Sequence, residues 1–130
     1  MKLGILGGGQ LGMMMCQAAK KIDIETIIFS DNADSPAVKF SDKNFIDKYD
    51  NFNLIDEFIK ECDVITFEFE NIPFETLNYI QNKKSVFPSP NINNIIQDRL
   101  TEKVFINGLG IPTVPYLKID NQNDLSAISS

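Results

Sequence analysis

The chain has 130 residues (14.7 kDa), of which 43% are hydrophobic and 23% charged, with a mean hydropathy of −0.11 and a net charge of −6. That length holds one domain and not two full ones, and the composition is that of a globular protein with a real core, not of a disordered or fibrous chain. Eighteen acids against twelve bases argue against a nucleic-acid-binding face, and the absence of histidine excludes Ser-His and Cys-His catalysis and any imidazole zinc site within the chain.

No apolar run approaches the 18 residues of a membrane span, and glycines and Gln10 interrupt the apolar N-terminus, so a secretion signal is not expected. Cys16 and Cys62 lie far apart without CxxC spacing, which fits two reduced, buried thiols in a cytoplasmic protein.

Residues 2–6 form a short apolar run that predicts a buried strand. Five of the seven glycines fall within the first twelve positions. Beyond Gly12 the pattern turns helical, with Leu11, Met14, Met15 and Ala18 at i, i+3, i+4, i+7 as the expected apolar face. A second apolar run over 24–29 closes on Ser30-Asp31-Asn32, giving β-turn-α-β, the opening of an open parallel sheet. Residues 31–41 read as loop, 44–46 as a short strand and 51–61 as a helix. Residues 64–69 read as the third strong strand. Pro73 marks the start of a helix whose face is Phe74, Leu77 and Tyr79 or Ile80, and 85–87 is a last short strand. A further helix is expected over 93–107, stopped by Gly108, followed by an extended edge segment over 111–116 and a polar stretch over 120–130. The fold class predicted is α/β, an open parallel Rossmann-like sheet.

Gly7-Gly8-Gly9-Gln10-Leu11-Gly12 is a G-x-G-x-x-G loop between a strand and a helix. Glycines permit close backbone approach, and a helix N-terminus offers free N–H groups and partial positive charge to a phosphate or carboxylate. A dinucleotide site is one reading, with Asp31 placed to hold a ribose hydroxyl. Other phosphorylated ligands, or a tight turn without a ligand, are open at this point.

In Thr66-Phe67-Glu68-Phe69-Glu70-Asn71, strand alternation predicts Glu68 and Glu70 on one face and Phe67 and Phe69 in the core on the other. Paired carboxylates at the carboxyl end of a parallel strand favour an amine-bearing partner, which either could orient or deprotonate. The alternative is that both are solvated or cap the following helix. Arg99, the single arginine, and Lys103 lie four apart on one helical face, suited either to phosphate or to simple solvation.

These three segments, in this order and followed by Gly110-Ile111-Pro112-Thr113, resemble the N-terminal part of the 5-(carboxyamino)imidazole ribonucleotide synthases, ATP-grasp ligases of purine biosynthesis. The stretch Asp34-Ser35-Pro36-Ala37 is similar to that family too. The resemblance implies a pre-ATP-grasp substrate-binding domain over 1–92, a connecting helix over 93–109 and the start of an ATP-grasp domain over 110–130. It also implies ATP-dependent carboxylation of the amine of aminoimidazole ribonucleotide with bicarbonate, through carboxyphosphate, with magnesium bound by ligands beyond Ser130. Carried over, Gly9, Gln10, Leu11 and Glu68 contact substrate, Gln10 and Leu11 near its ribose phosphate, Glu68 and Glu70 are the catalytic candidates, and Arg99 and Lys103 face ATP. A cytoplasmic homodimer is implied for the full-length enzyme, with no nucleic-acid or membrane partner, and the 130-residue chain alone is expected not to turn over ATP. Where members often carry a basic residue after the glycine loop, this chain has Met13. The competing readings are a sister ATP-grasp ligase for another phosphoribosyl amine, an NAD-binding Rossmann module, and a non-catalytic dimerisation module.

Overall fold

Side-chain alternation along the first strand, β1 (Lys2–Leu6), sends Leu3 and Ile5 to one face and Gly4 and Leu6 to the other. The computed structural model describes residues 1–122 and residue 124, so the end of the expected 110–130 segment lies outside the described residues. The chain divides into two compact units, residues 1–97 and 98–130, and each is described by itself.

In the first unit, β1 is followed by α1 (Gln10–Lys20), β2 (Glu25–Ser30), a 3-10 turn (Pro36–Lys39) and β3 (Lys43–Ile46). Then come α2 (Phe52–Glu61), β4 (Val64–Phe67), α3 (Phe74–Gln81), β5 (Val86–Phe87) and α4 (Pro90–Ile96). The five strands form one parallel sheet in the order β3-β2-β1-β4-β5, with Ile5 opposite Ile28 and Thr66. The chain builds outward on one side of β1 through β2 and β3, then returns to build the other side from β4, so the switch point lies between β1 and β4. Ligands of open α/β sheets bind at that point, beyond the carboxyl ends of the strands.

Both faces of the sheet are covered, as a parallel sheet requires. Ile5 and Ile28 pack with Cys16 of α1 and Ala37 of the 3-10 turn. On the opposite face, Leu6, Ile27, Phe29 and Ile65 pack with Ile55 and Phe58 of α2 and Leu77 and Ile80 of α3. Phe29 meets Phe58 edge-on, with ring centroids 5.6 Å apart. Both thiols are buried, and burial pushes the Cys62 thiol up to about 12.

The structure differs from the sequence reading at several places. Helix α1 starts at Gln10, and it buries Gly12, Cys16 and Ala19; of the expected face, Met15 is half-buried against the core while Leu11, Met14 and Ala18 are exposed. The small stripe brings the helix axis close to the sheet, while Leu11 is 59% and Met14 53% exposed. Within 31–41, residues Pro36–Lys39 form the 3-10 turn, with Pro36 in its first turn where a proline fits. The helix expected over 93–107 is two helices, α4 and α5 (Arg99–Gly108). Asp98 takes an extended conformation between them and caps α5, its carboxylate accepting the Thr101 N–H at 2.7 Å. Helix α5 runs through Gly108, and the left-handed residue that ends the turn is Gly110 (φ 76°). Residues 111–116 pair with no strand.

Two substitutions test this packing by thermal or urea unfolding. A methyl group on Gly4 would lie 2.5 Å from Cys62 Sγ and 2.8 Å from the Phe58 ring, so Gly4→Ala is expected to destabilise by about 1–3 kcal/mol through overpacking. Thr76 of α3 is buried and donates its hydroxyl to the Tyr49 carbonyl at 2.7 Å. Thr76→Val leaves that buried carbonyl unpaired and is expected to cost about 1–3 kcal/mol. Unchanged midpoints in both variants would contradict the packing described.

Candidate functional site

Two loops leave the sheet side by side at the switch point, residues 7–9 after β1 and residues 68–73 after β4. The Glu68 amide still donates to the Leu6 carbonyl at 3.0 Å, which continues the ladder by one bond past β4. The carboxylate turns back to the glycine loop, and Oε1 accepts the Gly9 N–H at 2.8 Å. Gly9 is the N-cap of α1. A methyl group on Gly7 would lie 2.6 Å from Glu68 Oε1, and Gly7 has φ 111°, a conformation that favours glycine. A methyl on Gly9 would lie 3.0 Å from the same oxygen.

The other side of the loop is clamped by residues 30–37. The Ala37 amide donates to the Gly8 carbonyl at 2.9 Å, and the Ser30 and Ser35 hydroxyls are 3.0 Å apart. A methyl on Gly8 would lie 2.5 Å from Ser30 Oγ. The glycine loop is therefore packed on both sides by side chains of its own chain.

Beside it lies a hollow of about 200 Å³ lined by the three glycines, Asp31, Ser35, Tyr49, Glu68 and Phe69. A second hollow, of about 260 Å³, shares Asp31, Tyr49 and Phe69 and adds Lys48, Asp50 and Asn71. Asp31, Asp50 and Glu68 against Lys48 make this edge acidic, so it attracts cations and hydrogen-bond donors and repels phosphate. Tyr49 is buried against Phe29, ring centroids 5.8 Å apart. Burial first, and then the Asp31 and Glu68 charges, push its phenol up, so the hydroxyl stays neutral.

Glu68 and Glu70 are not a pair on one face. Strand β4 ends at Phe67, and alternation ends with it, because residues 70–71 turn. The Glu70 side chain is exposed, and its carbonyl accepts the Gln97 Nε2 at 2.6 Å and the Asn93 Nδ2 at 3.1 Å. Phe69 is 40% exposed and rims both hollows instead of joining the core, while Phe67 is half-buried against it. Gln10 and Leu11 are exposed on the first turn of α1. Leu11 borders an apolar groove with Met14, Met15, Ala18 and Phe67, and Glu68 lines that groove as well as the glycine hollow. Sequence reasoning missed Tyr49; its available signal was an aromatic residue just past the carboxyl end of β3, on the edge where ligands bind.

In the second unit, Arg99 and Lys103 line one hollow of about 370 Å³ with Lys118 and Tyr116. Arg99 Nη1 is 2.8 Å from Glu102 Oε2, and Lys103 Nζ lies 5.5 Å from the centre of the Tyr116 ring. Asp98 lines the hollow too and Lys118 pairs with Asp120 at 3.0 Å, but three cations against one acid in the lining still suit an anionic ligand such as a phosphate. Among the described residues no cluster of three His, Cys, Asp or Glu could hold a metal ion, and no helix is long and apolar enough to cross a membrane.

The ribonucleotide synthetase preATP-grasp domain matches residues 1–97. The N5-carboxyaminoimidazole ribonucleotide synthase of Brucella melitensis is 39% identical over 125 residues, which are 96% of this chain and 34% of that protein. The Staphylococcus aureus N5-carboxyaminoimidazole synthetase, solved with ADP, superposes with a TM-score of 0.90 at 32% identity, covering 98% of this chain and 34% of that one. The Aspergillus clavatus N5-carboxyaminoimidazole synthase, solved with ADP and 5-aminoimidazole ribonucleotide, gives a TM-score of 0.84 at 26% identity, covering 98% and 35%. The chain thus spans about a third of the length of the relatives it matches. With its switch-point loops, its parallel sheet and this match over residues 1–97, the chain belongs to the ribonucleotide synthetase preATP-grasp domain family.

Proposed function

We propose that this chain is the substrate-binding N-terminal part of an ATP-dependent carbon–nitrogen ligase that carboxylates the amine of 5-aminoimidazole ribonucleotide with bicarbonate. The observation that carries the reading is the acidic hollow at the switch point, with the Glu68 carboxylate at its wall, on a chain 98% covered by a relative solved with ADP and that ribonucleotide. A carboxylate fixed at a sheet edge offers its second oxygen to an N–H or O–H donor. Glu68 is thereby suited to hold the exocyclic amine or a ribose hydroxyl and to accept a proton. Tyr49, held neutral, is suited to donate or accept a hydrogen bond beside it. Gly9 sets the hollow's inner wall, and Gln10 and Leu11 border the mouth of α1. Glu70 has a structural role through its carbonyl, and its exposed carboxylate is the weaker catalytic candidate.

In the reaction, bicarbonate attacks the γ-phosphorus of ATP, and ADP leaves with carboxyphosphate formed. The amine nitrogen attacks the carboxyl carbon, the C–O bond to phosphate breaks, and the amine loses a proton. Arg99 and Lys103 are assigned to the anionic side of this chemistry, against the nucleotide. Magnesium accompanies ATP by offsetting phosphate charge. The described residues offer it no cluster of three acidic, histidine or cysteine ligands. The reading extends to a cytoplasmic homodimer as the working form. The dinucleotide reading has Asp31 beside the loop, but Glu68 stands where a pyrophosphate would sit.

Steady ADP release by the longest natural protein containing this chain, supplied with ATP, magnesium and bicarbonate, is expected to rise strongly when aminoimidazole ribonucleotide is added. Glu68→Gln is expected to lower kcat/KM for the ribonucleotide about 10–100-fold, the range for losing a hydrogen bond to a charged group. ADP release indifferent to the ribonucleotide, from folded protein, would overturn the assignment.

A further inference from the structure

We infer that residues 7–9 of the glycine loop are not an anion site: their resident partner is the Glu68 carboxylate, and the task of Gly7 and Gly9 is to position that side chain. Two independent observations converge. The first is the hydrogen bond, since the Gly9 N–H at the N-cap of α1 is already donated to Glu68 Oε1 at 2.8 Å, so an anion at the start of α1 meets the amides of the first turn and not residues 7–9. The second is the space, since a Cβ on either Gly7 or Gly9 would press into the same carboxylate oxygen. Here the glycines admit a glutamate side chain where the same pattern elsewhere admits a pyrophosphate.

The carboxylate also faces the partial positive charge at the start of α1 from within the chain. Asp31 and Asp50 add further negative charge to the adjoining walls. A phosphoribosyl ligand therefore presents a hydrogen-bond donor to this wall and keeps its phosphate away from residues 7–9. Gly7 and Gly9 become positioning residues for Glu68. The inference rests on the proposed function for the claim that Glu68 meets the ligand, but not for the claim that it fills the loop.

The test uses the 130-residue chain, with inorganic phosphate and aminoimidazole ribonucleotide as separate probes, read by amide resonances of Gly7, Gly8 and Gly9. In the wild type, phosphate is expected to leave these three resonances unmoved. Glu68→Ala frees the Gly9 N–H and is expected to gain phosphate binding there by about tenfold or more, the range for a hydrogen bond to a charged group. Glu68→Gln keeps an oxygen acceptor in place and is expected not to gain it. Gly9→Ala, at φ −73° where alanine is permitted, displaces the carboxylate and is expected to weaken ribonucleotide binding about tenfold with the thermal midpoint preserved. Phosphate binding at residues 7–9 in the wild type, or a folded Glu68→Ala chain with no gain, would overturn the inference. If Glu68→Ala does not fold, wild-type phosphate binding and the Gly9→Ala arm decide it. Should phosphate follow the expected pattern while ADP release by the longest natural protein ignores the ribonucleotide, the proposed function fails and the loop inference stands.

Discussion

The hydrogen bond from the Gly9 amide to the Glu68 carboxylate joins the two loops that leave the sheet at its switch point, and much of the site follows from it. It ties the turn after β1 to the chain just past β4, two strands brought together by the order β3-β2-β1-β4-β5. It fixes a charged side chain on a backbone whose turn requires glycine at position 7 and leaves close quarters at position 9. It also bears on the sign of the site, since it sets a carboxylate against the positive end of α1 before any ligand arrives.

Packing around that bond is arranged to keep it in place. Residues 30–37 press on the loop from one side through Ser30, Ser35 and the Ala37 amide, and α1 comes close to the sheet along Gly12, Cys16 and Ala19. Tyr49, held by the Thr76 hydroxyl through its carbonyl and by Phe29 through its ring, supplies the far wall. The result is a rigid acidic edge, in contrast to the second unit, where Arg99, Lys103 and Lys118 collect in one hollow. The chain thus carries two local environments of opposite charge, one suited to an amine or hydroxyl and one to a phosphate.

The parallel sheet was legible because its central strands are apolar or β-branched runs bounded by glycine or polar turn residues, as in residues 2–6 and 24–29. The glycine loop and Glu68 were legible as site residues, but their relation was not: nothing in a one-dimensional pattern says that the loop's partner is a side chain 59 residues away. Alternation misplaced Glu70 and Phe69 because β4 stops at Phe67, and a strand's end depends on the turn that follows rather than on the period within it. Helical periodicity misassigned α1 for a different reason. Large apolar residues dominate a hydrophobic pattern, whereas the helix packs through its smallest residues, so Leu11 and Met14 face outward. The break at Asp98 was present as an N-cap signal, an aspartate three residues before the amide it caps, inside a stretch that otherwise favours helix.

We propose that aminoimidazole ribonucleotide binds at the switch-point edge of this chain, where Glu68 is seated against residues 7–9. The most direct measurement is the set of backbone amide resonances that move when that ribonucleotide is titrated into the wild-type chain. The account predicts that movement concentrates on Gly9, Glu68, Phe69 and the neighbourhood of Asp31 and Tyr49, while residues on the outer surface of α2 stay still. Saturable binding whose shifts fall elsewhere, leaving Glu68 and Gly9 unmoved, would contradict it.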